Sequence, residues 1–360
     1  MAEIHGSCDD RFAEVRETLA ASLADNDVGA SVAVYVDGEP VVDIWGGHAD
    51  AARTVPWGRD TITNVWSITK TMTALCALIL IDRGELDPAA PVARYWPEFA
   101  QAGKEAVEVR HILSHTAGLP TWDIPMTAED LYDWEKATAL LAGQPSRWKP
   151  GTEAGYHVVT QGHLVGEVVR RITGRTLGTF FAEEVARPLN ADFHIGLPAE
   201  HDRRVAPVIP PAVPTELPPS DIVFSPELRA EEANTEAWRR AEIPAGNGHG
   251  NARSVAAVQS VLTSGGARLL SPEGCERALE EQFAGTDRFL GMEMRYGLGY
   301  GLQPAQRVCF WGGWGGSLVW NDLDTRMTVA YVMNRMLDQR TQGDDRAFSI
   351  VTAAYTGVTT

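Results

Sequence analysis

At 360 residues, with 44% hydrophobic and 22% charged side chains, the chain is long enough to bury a large core as one big domain or two lobes. Its formal net charge of −17 argues against nucleic acid or an anionic membrane surface as a partner. Cys8, Cys76, Cys275 and Cys309 show neither metal-ligand nor disulfide-framework spacing, and no apolar run is long enough to cross a bilayer.

The opening Met1-Ala2-Glu3-Ile4-His5 lacks the basic start and apolar run of a secretory signal, so the expectation is a cytoplasmic protein with reduced thiols. In chain order, residues 11–23 place Phe12, Val15, Leu19 and Leu23 on one side of an amphipathic helix. Residues 31–36 and 41–45 flank Asp37-Gly38, a pair favoured in tight turns, and predict a β-hairpin.

Next comes Val65-Trp66-Ser67-Ile68-Thr69-Lys70, followed by the most apolar helix-like segment of the chain, running to Ile81. In a helix beginning near Ser67, the Ser67 hydroxyl and the Lys70 amine share one face, a turn apart. The helix dipole there favours negative charge on the serine oxygen, and desolvation makes the lysine a better base. An alcohol beside such an amine is an activated nucleophile. Lysine occurs only at positions 70, 104, 136 and 149, so one placed in an apolar helix is a selective choice. Ser146-Arg147-Trp148-Lys149 repeats the spacing, but Pro150-Gly151 follows at once and no helix can continue to hold that pair.

Further on, residues 109–120 predict a short helix ending in a glycine-bearing turn, and 127–141 a longer helix. Pro150-Gly151-Thr152 is a turn leading to Tyr156, followed by helices over 157–172 and 176–185. From 199 to 245 the pattern dissolves into an excursion rich in proline (Pro207, Pro210, Pro211, Pro214, Pro218, Pro219), expected to form a wall or lid. A helix over 254–262 precedes strands at 296–303, 306–311, 317–321 and 326–334 and a final helix over 345–355. Strands at both ends with helices between them predict an α/β (α+β) chain. Residues 1–66 and 290–360 would share one antiparallel sheet, and residues 67–289 would form a helical lobe.

These motifs together resemble the serine β-lactamase-like superfamily, especially the family VIII carboxylesterases related to class C β-lactamases. The resemblance runs from about Ser31 to Arg335. It rests on Ser67-Ile68-Thr69-Lys70, His115-Thr116-Ala117-Gly118-Leu119-Pro120, the turn before Tyr156, Gly248-His249-Gly250-Asn251, Tyr296-Gly297-Leu298-Gly299-Tyr300-Gly301 and Trp311-Gly312-Gly313. It implies a β-lactamase/transpeptidase-like fold with the terminal helices flanking the sheet and the active site between sheet and helical lobe.

It also implies roles. Ser67 is the nucleophile, Lys70 its partner, and Tyr156 a proton relay acting as general base or acid. The backbone N–H groups of Ser67 and Trp314 would form the oxyanion hole. Trp311, Gly312, Gly313, Trp314 and Val158 would bind substrate, with Trp314-Gly315-Gly316 as a competing register for the third motif. Two departures matter. The lactamase pattern Tyr-x-Asn reads Tyr156-His157-Val158 here, which removes an amide that would pair with an acylamide side chain. Trp311 replaces the lysine that attracts a substrate carboxylate, and would give apolar ester groups a surface to pack against. Both point to a serine carboxylesterase acting on short- to medium-chain esters through an acyl-enzyme. The alternatives are a β-lactamase or D-amino-acid peptidase, an acyltransferase using the same intermediate, and a silent binding protein of the same fold.

The rival Ser–His–acid arrangement has little support. Gly-x-Ser-x-Gly is absent, His115 reads as structural, and His157 and His249 are candidates only by closeness to the motifs. No spaced ligand set supports a metal and no cofactor is expected. Trp122, Trp148, Trp238 and Trp314 are candidate pocket linings, and the expected partner is a small ester.

Overall fold

The structure is a computed structural model describing residues 3–212, 220–337 and 344–359. Strand β1 (Ile4–Cys8) leads to helix α1 (Ala13–Asp25), whose Val15, Leu19 and Leu23 are buried. The hairpin of β2 (Gly29–Val36) and β3 (Glu39–Gly47) turns through Asp37 and Gly38 at φ +53° and +83°, the two successive left-handed residues that a type I′ turn needs. The short β4 (Thr63–Asn64) passes through a 3₁₀ turn (Trp66–Ile68) into α2 (Thr69–Asp82). Every α2 residue from Thr69 to Ile81 is buried, which explains its all-round apolar composition: it is the spine of the helical part.

Around that spine pack α3 (Val109–Leu113), α4 (Ala128–Tyr132), α5 (Trp134–Gly143), α6 (Thr160–Thr173) and α7 (Leu177–Phe181). After α8 (Glu236–Arg240), β5 (His249–Gly250) pairs with β4, and α9 (Ala252–Thr263) follows. The chain ends with α10 (Pro272–Glu276), strands β6 (Phe283–Thr286), β7 (Glu293–Tyr296), β8 (Gly301–Leu302), β9 (Val308–Gly312), β10 (Leu318–Asp322) and β11 (Met327–Met333), then α11 (Asp345–Thr359).

Nine of these strands form one antiparallel sheet in the order β1-β3-β2-β11-β10-β9-β8-β7-β6. Side chains alternate between its faces. Val32, Val34, Val329 and Tyr331 pack under α1 and α11, whereas Ala33, Ala330 and Val332 face the core built on α2 and α9. The first and last helices therefore flank the sheet, and the helical part covers its other face.

Several expectations need correction. The helix over 127–141 is broken at Asp133 (φ −86°, ψ +92°), because Thr127 and Asp133 each cap a separate helix. The strand over 296–303 survives only at its ends. Gly297 N–H donates to the Tyr300 carbonyl, and Gly299 (φ +88°) lies where a Cβ would overlap Ala74 of α2. β1 is an addition to the expected strands: its residues carry no clear alternation of apolar and polar side chains that would mark a strand. Residues 67–289 are not purely helical: β6 is an edge strand of the sheet, and α9 packs directly on β2, β10 and β11. Pro214, Pro218 and Pro219 lie outside the described residues.

Candidate active site

The nucleophile candidate sits in the 3₁₀ turn just ahead of α2, held in place by its neighbours. Trp66 adopts φ +52°, a left-handed conformation that costs an L-residue roughly 1–2 kcal/mol. Its indole is clamped between Trp238 (5.7 Å) and Trp314 (5.0 Å), and its carbonyl accepts the Thr69 hydroxyl at 2.5 Å. Ser317 Oγ donates to the Val65 carbonyl at 3.1 Å, and Val65 N–H to Gly248 at 2.9 Å. Packing on all sides thus maintains the strained backbone before Ser67.

Ser67 itself is half-buried. Its Oγ lies 3.2 Å from Lys70 Nζ and accepts the Tyr156 phenol at 2.7 Å. Lys70 is 0% exposed, and burial lowers its pKa well below 10.5. Its other partners are the carbonyls of Val158 (2.6 Å) and Ala245 (2.8 Å). A neutral amine has two N–H bonds, and both carbonyls require them. The lone pair then occupies the corner facing Ser67 Oγ, where it can take the serine proton. Burial raises the Tyr156 phenol above its ordinary value, so it stays protonated and serves as a donor.

Tyr156 is positioned by a residue that sequence reasoning missed. Asp287 is 0% exposed, and its Oδ1 accepts the N–H groups of Tyr156 (3.1 Å), Phe289 (2.9 Å) and Leu290 (2.8 Å). Its Oδ2 accepts the Tyr296 hydroxyl at 2.8 Å. An aspartate in a loop ordinarily reads as solvated, and only the tertiary fold brings Tyr156 to it.

The third motif passes beside the serine. Trp311 and Gly312 pair with Val319 and Leu318, while residues 314–316 form the turn, so Trp311-Gly312-Gly313 is the register on the strand. Gly313 lies so close that a Cβ would overlap the Val65 carbonyl and Ser317 Oγ. Trp314 is half-buried against Trp66. Val158 is half-buried and contributes its carbonyl to Lys70 as well as its side chain to the wall. Trp311 corrects an expectation: it is 0% exposed, packed behind Tyr156 (5.6 Å) and against His115 (5.3 Å) and Tyr296 (6.0 Å). It backs Tyr156 and offers no open face to an ester.

The other candidates separate cleanly. His157 donates from Nδ1 to Gly155 (2.6 Å) and accepts Leu119 N–H at Nε2 (3.1 Å), and burial lowers its pKa to about 3. His115 Nδ1 accepts the His157 N–H at 3.1 Å, and His249 Nδ1 bonds Asn247 at 2.8 Å. Among the described residues no histidine hydrogen-bonds Ser67. Trp122 and Trp238 are core residues whose Nε1 groups are satisfied by Ala137 and Asn64. Trp148 stands behind Tyr156 in the same aromatic cluster. Of the excursion, residues 220–225 stand as a wall beside Tyr156, while 230–234 and 236–240 are short helices packed into the main core. Ser225 exchanges hydrogen bonds with Thr121 (2.8 and 3.1 Å) and Arg288 pairs with Asp221, so Ile222 and Phe224 are held beside Phe289 and Tyr156.

The beta-lactamase family model matches residues 15–353. The chain belongs to the beta-lactamase family. It is 34% identical to the esterase/beta-lactamase LipL of Mycobacterium tuberculosis, over 96% of this chain and 86% of that protein. A solved family VIII carboxylesterase superposes with a TM-score of 0.92 at 41% identity, covering 99% of this chain and 100% of that one. A penicillin-binding protein homologue from Caulobacter crescentus superposes at 0.91 with 37% identity, again over 99% of this chain and 100% of that one. These likenesses make this family member a serine hydrolase, with esterases among its relatives.

Proposed function

We propose that the protein is a carboxylesterase that forms its acyl-enzyme on Ser67. The observation that carries this reading is the pairing of Ser67 Oγ with both a buried Lys70 (3.2 Å) and the Tyr156 phenol (2.7 Å). Ser67 Oγ attacks the ester carbonyl as its proton passes to the neutral Lys70 amine. The N–H groups of Ser67 and Trp314 hold the developing oxyanion, where losing one donor costs about 10²–10³-fold in turnover. As the intermediate collapses, the C–O bond to the alcohol breaks. The leaving oxygen takes the Tyr156 proton, and the Lys70 ammonium, whose nitrogen and the phenol both meet the Ser67 oxygen, restores it. Water then repeats the sequence on the acyl-enzyme, giving up its proton to the same pair and releasing the acid.

Esters are favoured over lactams because Val158 and Trp311 offer neither the amide nor the cation that those substrates use. The wall formed by Val158, Phe224, Phe289 and Leu290 suits a short to medium apolar acyl chain. Two assays test the proposal. Fluorophosphonate treatment followed by peptide mapping should label Ser67 alone. Nitrophenyl butyrate should be turned over far faster than a chromogenic cephalosporin, and the opposite preference would revive the β-lactamase reading that LipL's own name keeps open.

A further inference from the structure

Arg346, near the start of α11, is only 5% exposed and is used in none of the steps above. Its Nη1 donates to Asp27 Oδ1 (2.7 Å) and to the Arg335 carbonyl (3.0 Å), and its Nε and Nη2 to Asp344 (3.1 and 2.6 Å to Oδ2). Asp27 and Asp344 are 0% and 2% exposed. Tyr331 donates its hydroxyl to both Asp27 oxygens (2.9 and 2.7 Å) and lays its ring 5.8 Å from the guanidinium. Ser22 adds a bond to Asp27 at 2.5 Å. One guanidinium thus joins the end of α1 to the start of α11 inside the protein.

Its remaining bond leaves this cluster. Nη2 donates to the Gly315 carbonyl at 2.6 Å, in the turn after β9. That carbonyl shares a rigid peptide plane with the Gly316 N–H. Gly316 N–H donates in turn to the Gly313 carbonyl at 3.2 Å, and the Gly313 carbonyl shares its plane with the Trp314 N–H. The path from guanidinium to Trp314 amide is therefore two peptide planes joined by one hydrogen bond. The turn lies flush against the cluster: a Cβ on Gly316 would overlap Asp344 and Arg346, and one on Gly315 would overlap Met336. Left-handed φ values of +91° and +129° at these glycines bring the carbonyl round to the arginine.

We propose that Arg346 is a positioning residue for ester hydrolysis: by gripping the Gly315–Gly316 peptide it orients the Gly313–Trp314 peptide and aims the Trp314 N–H at the substrate carbonyl oxygen. The inference rests on the oxyanion role given to Trp314 above. Hydrogen bonds in series also polarise one another, so the cation strengthens the donor it aims. Only arginine has the planar fork to reach two carboxylates and two carbonyls at once; lysine would keep the charge between Asp27 and Asp344 but release Gly315.

The test compares wild type with R346K on a nitrophenyl ester and on its thionoester, in which sulfur replaces the carbonyl oxygen and accepts hydrogen bonds poorly. Rates are normalised to active sites titrated with a fluorophosphonate, so that unfolded protein does not count. The expected result on the oxygen ester is a fall in kcat of about 10–100-fold with KM changed less than about threefold. The loss on the thionoester should be several-fold smaller. A wild-type preference for the oxygen ester that R346K leaves intact overturns the role of Arg346 alone. Equal wild-type rates on the two esters overturn the oxyanion reading itself. If R346K does not fold, D344N replaces it: this isosteric change loosens the arginine and should give a smaller loss with the same bias towards the oxygen ester. A loss without that bias overturns the proposal.

Discussion

Ser67 and Ser146 both open a Ser-x-x-Lys sequence, and the fold treats them oppositely. Ser67 leads into α2, a helix buried along almost its whole length, and Lys70 is sealed among carbonyls with its nitrogen turned to the serine. Ser146 donates to the Ala117 carbonyl at 2.8 Å, and Lys149 is exposed just before Pro150. The residue types and spacing are the same. What differs is the helix that aligns the pair and the desolvation that lowers the Lys70 pKa and so favours its neutral, proton-accepting form. A spacing becomes chemistry only where the backbone continues and water is excluded.

The strongest test of this contrast is to remove each serine. S67A should lower ester hydrolysis by at least about 10⁴-fold, as loss of a nucleophile does in serine hydrolases, while the fold and melting temperature hold. K70A should cost about 10²–10⁴-fold, the range of a lost general base. Its pH profile sharpens the point. The rate needs the neutral amine, so kcat/KM rises as pH rises through the Lys70 pKa, and burial puts that rise well below 10.5. A rise near 10.5 would mean that Lys70 is solvated and the contrast with Lys149 empty. Y156F should lower kcat by about 10²-fold by removing the proton donor.

Removing the brace behind that tyrosine should do less. D287A leaves the N–H groups of Tyr156, Phe289 and Leu290 without their acceptor, and should lower kcat about tenfold and destabilise the fold by about 1–3 kcal/mol. D287N keeps an oxygen for those donors and should recover most of the loss, measured by kcat and by denaturant unfolding. At the bottom of the scale, S146A and K149A should each change kcat less than about twofold. A large loss from either would break the comparison.

Much of this architecture was legible in the chain. The Asp37-Gly38 hairpin, the apolar run behind Ser67, the glycine-closed α6 and the C-terminal strands all follow local periodicity and turn chemistry. The failures have a common origin. Asp133 splits a helix because its side chain prefers to cap the next one, and Gly297 to Tyr300 turn away from a strand because α2 lies against Gly299. Edge strands β1 and β6 carry too little alternation to be read from sequence.

For the site, the proposed nucleophile, its lysine and its tyrosine were legible in residue identities, because local spacing and a recurrent set of motifs encode them. Identity also placed Val158 and Trp311 where the related lactamase pattern has an amide and a cation, and the proposed preference for esters rests on those two residues. Tertiary structure alone decided that Trp311 is buried behind Tyr156, that Asp287 holds the tyrosine backbone, and that Arg346 reaches the turn beside Ser67. Each of those depends on contacts between residues far apart in the chain. Burial and hydrogen-bond partners are properties of the assembled fold, and no local pattern carries them.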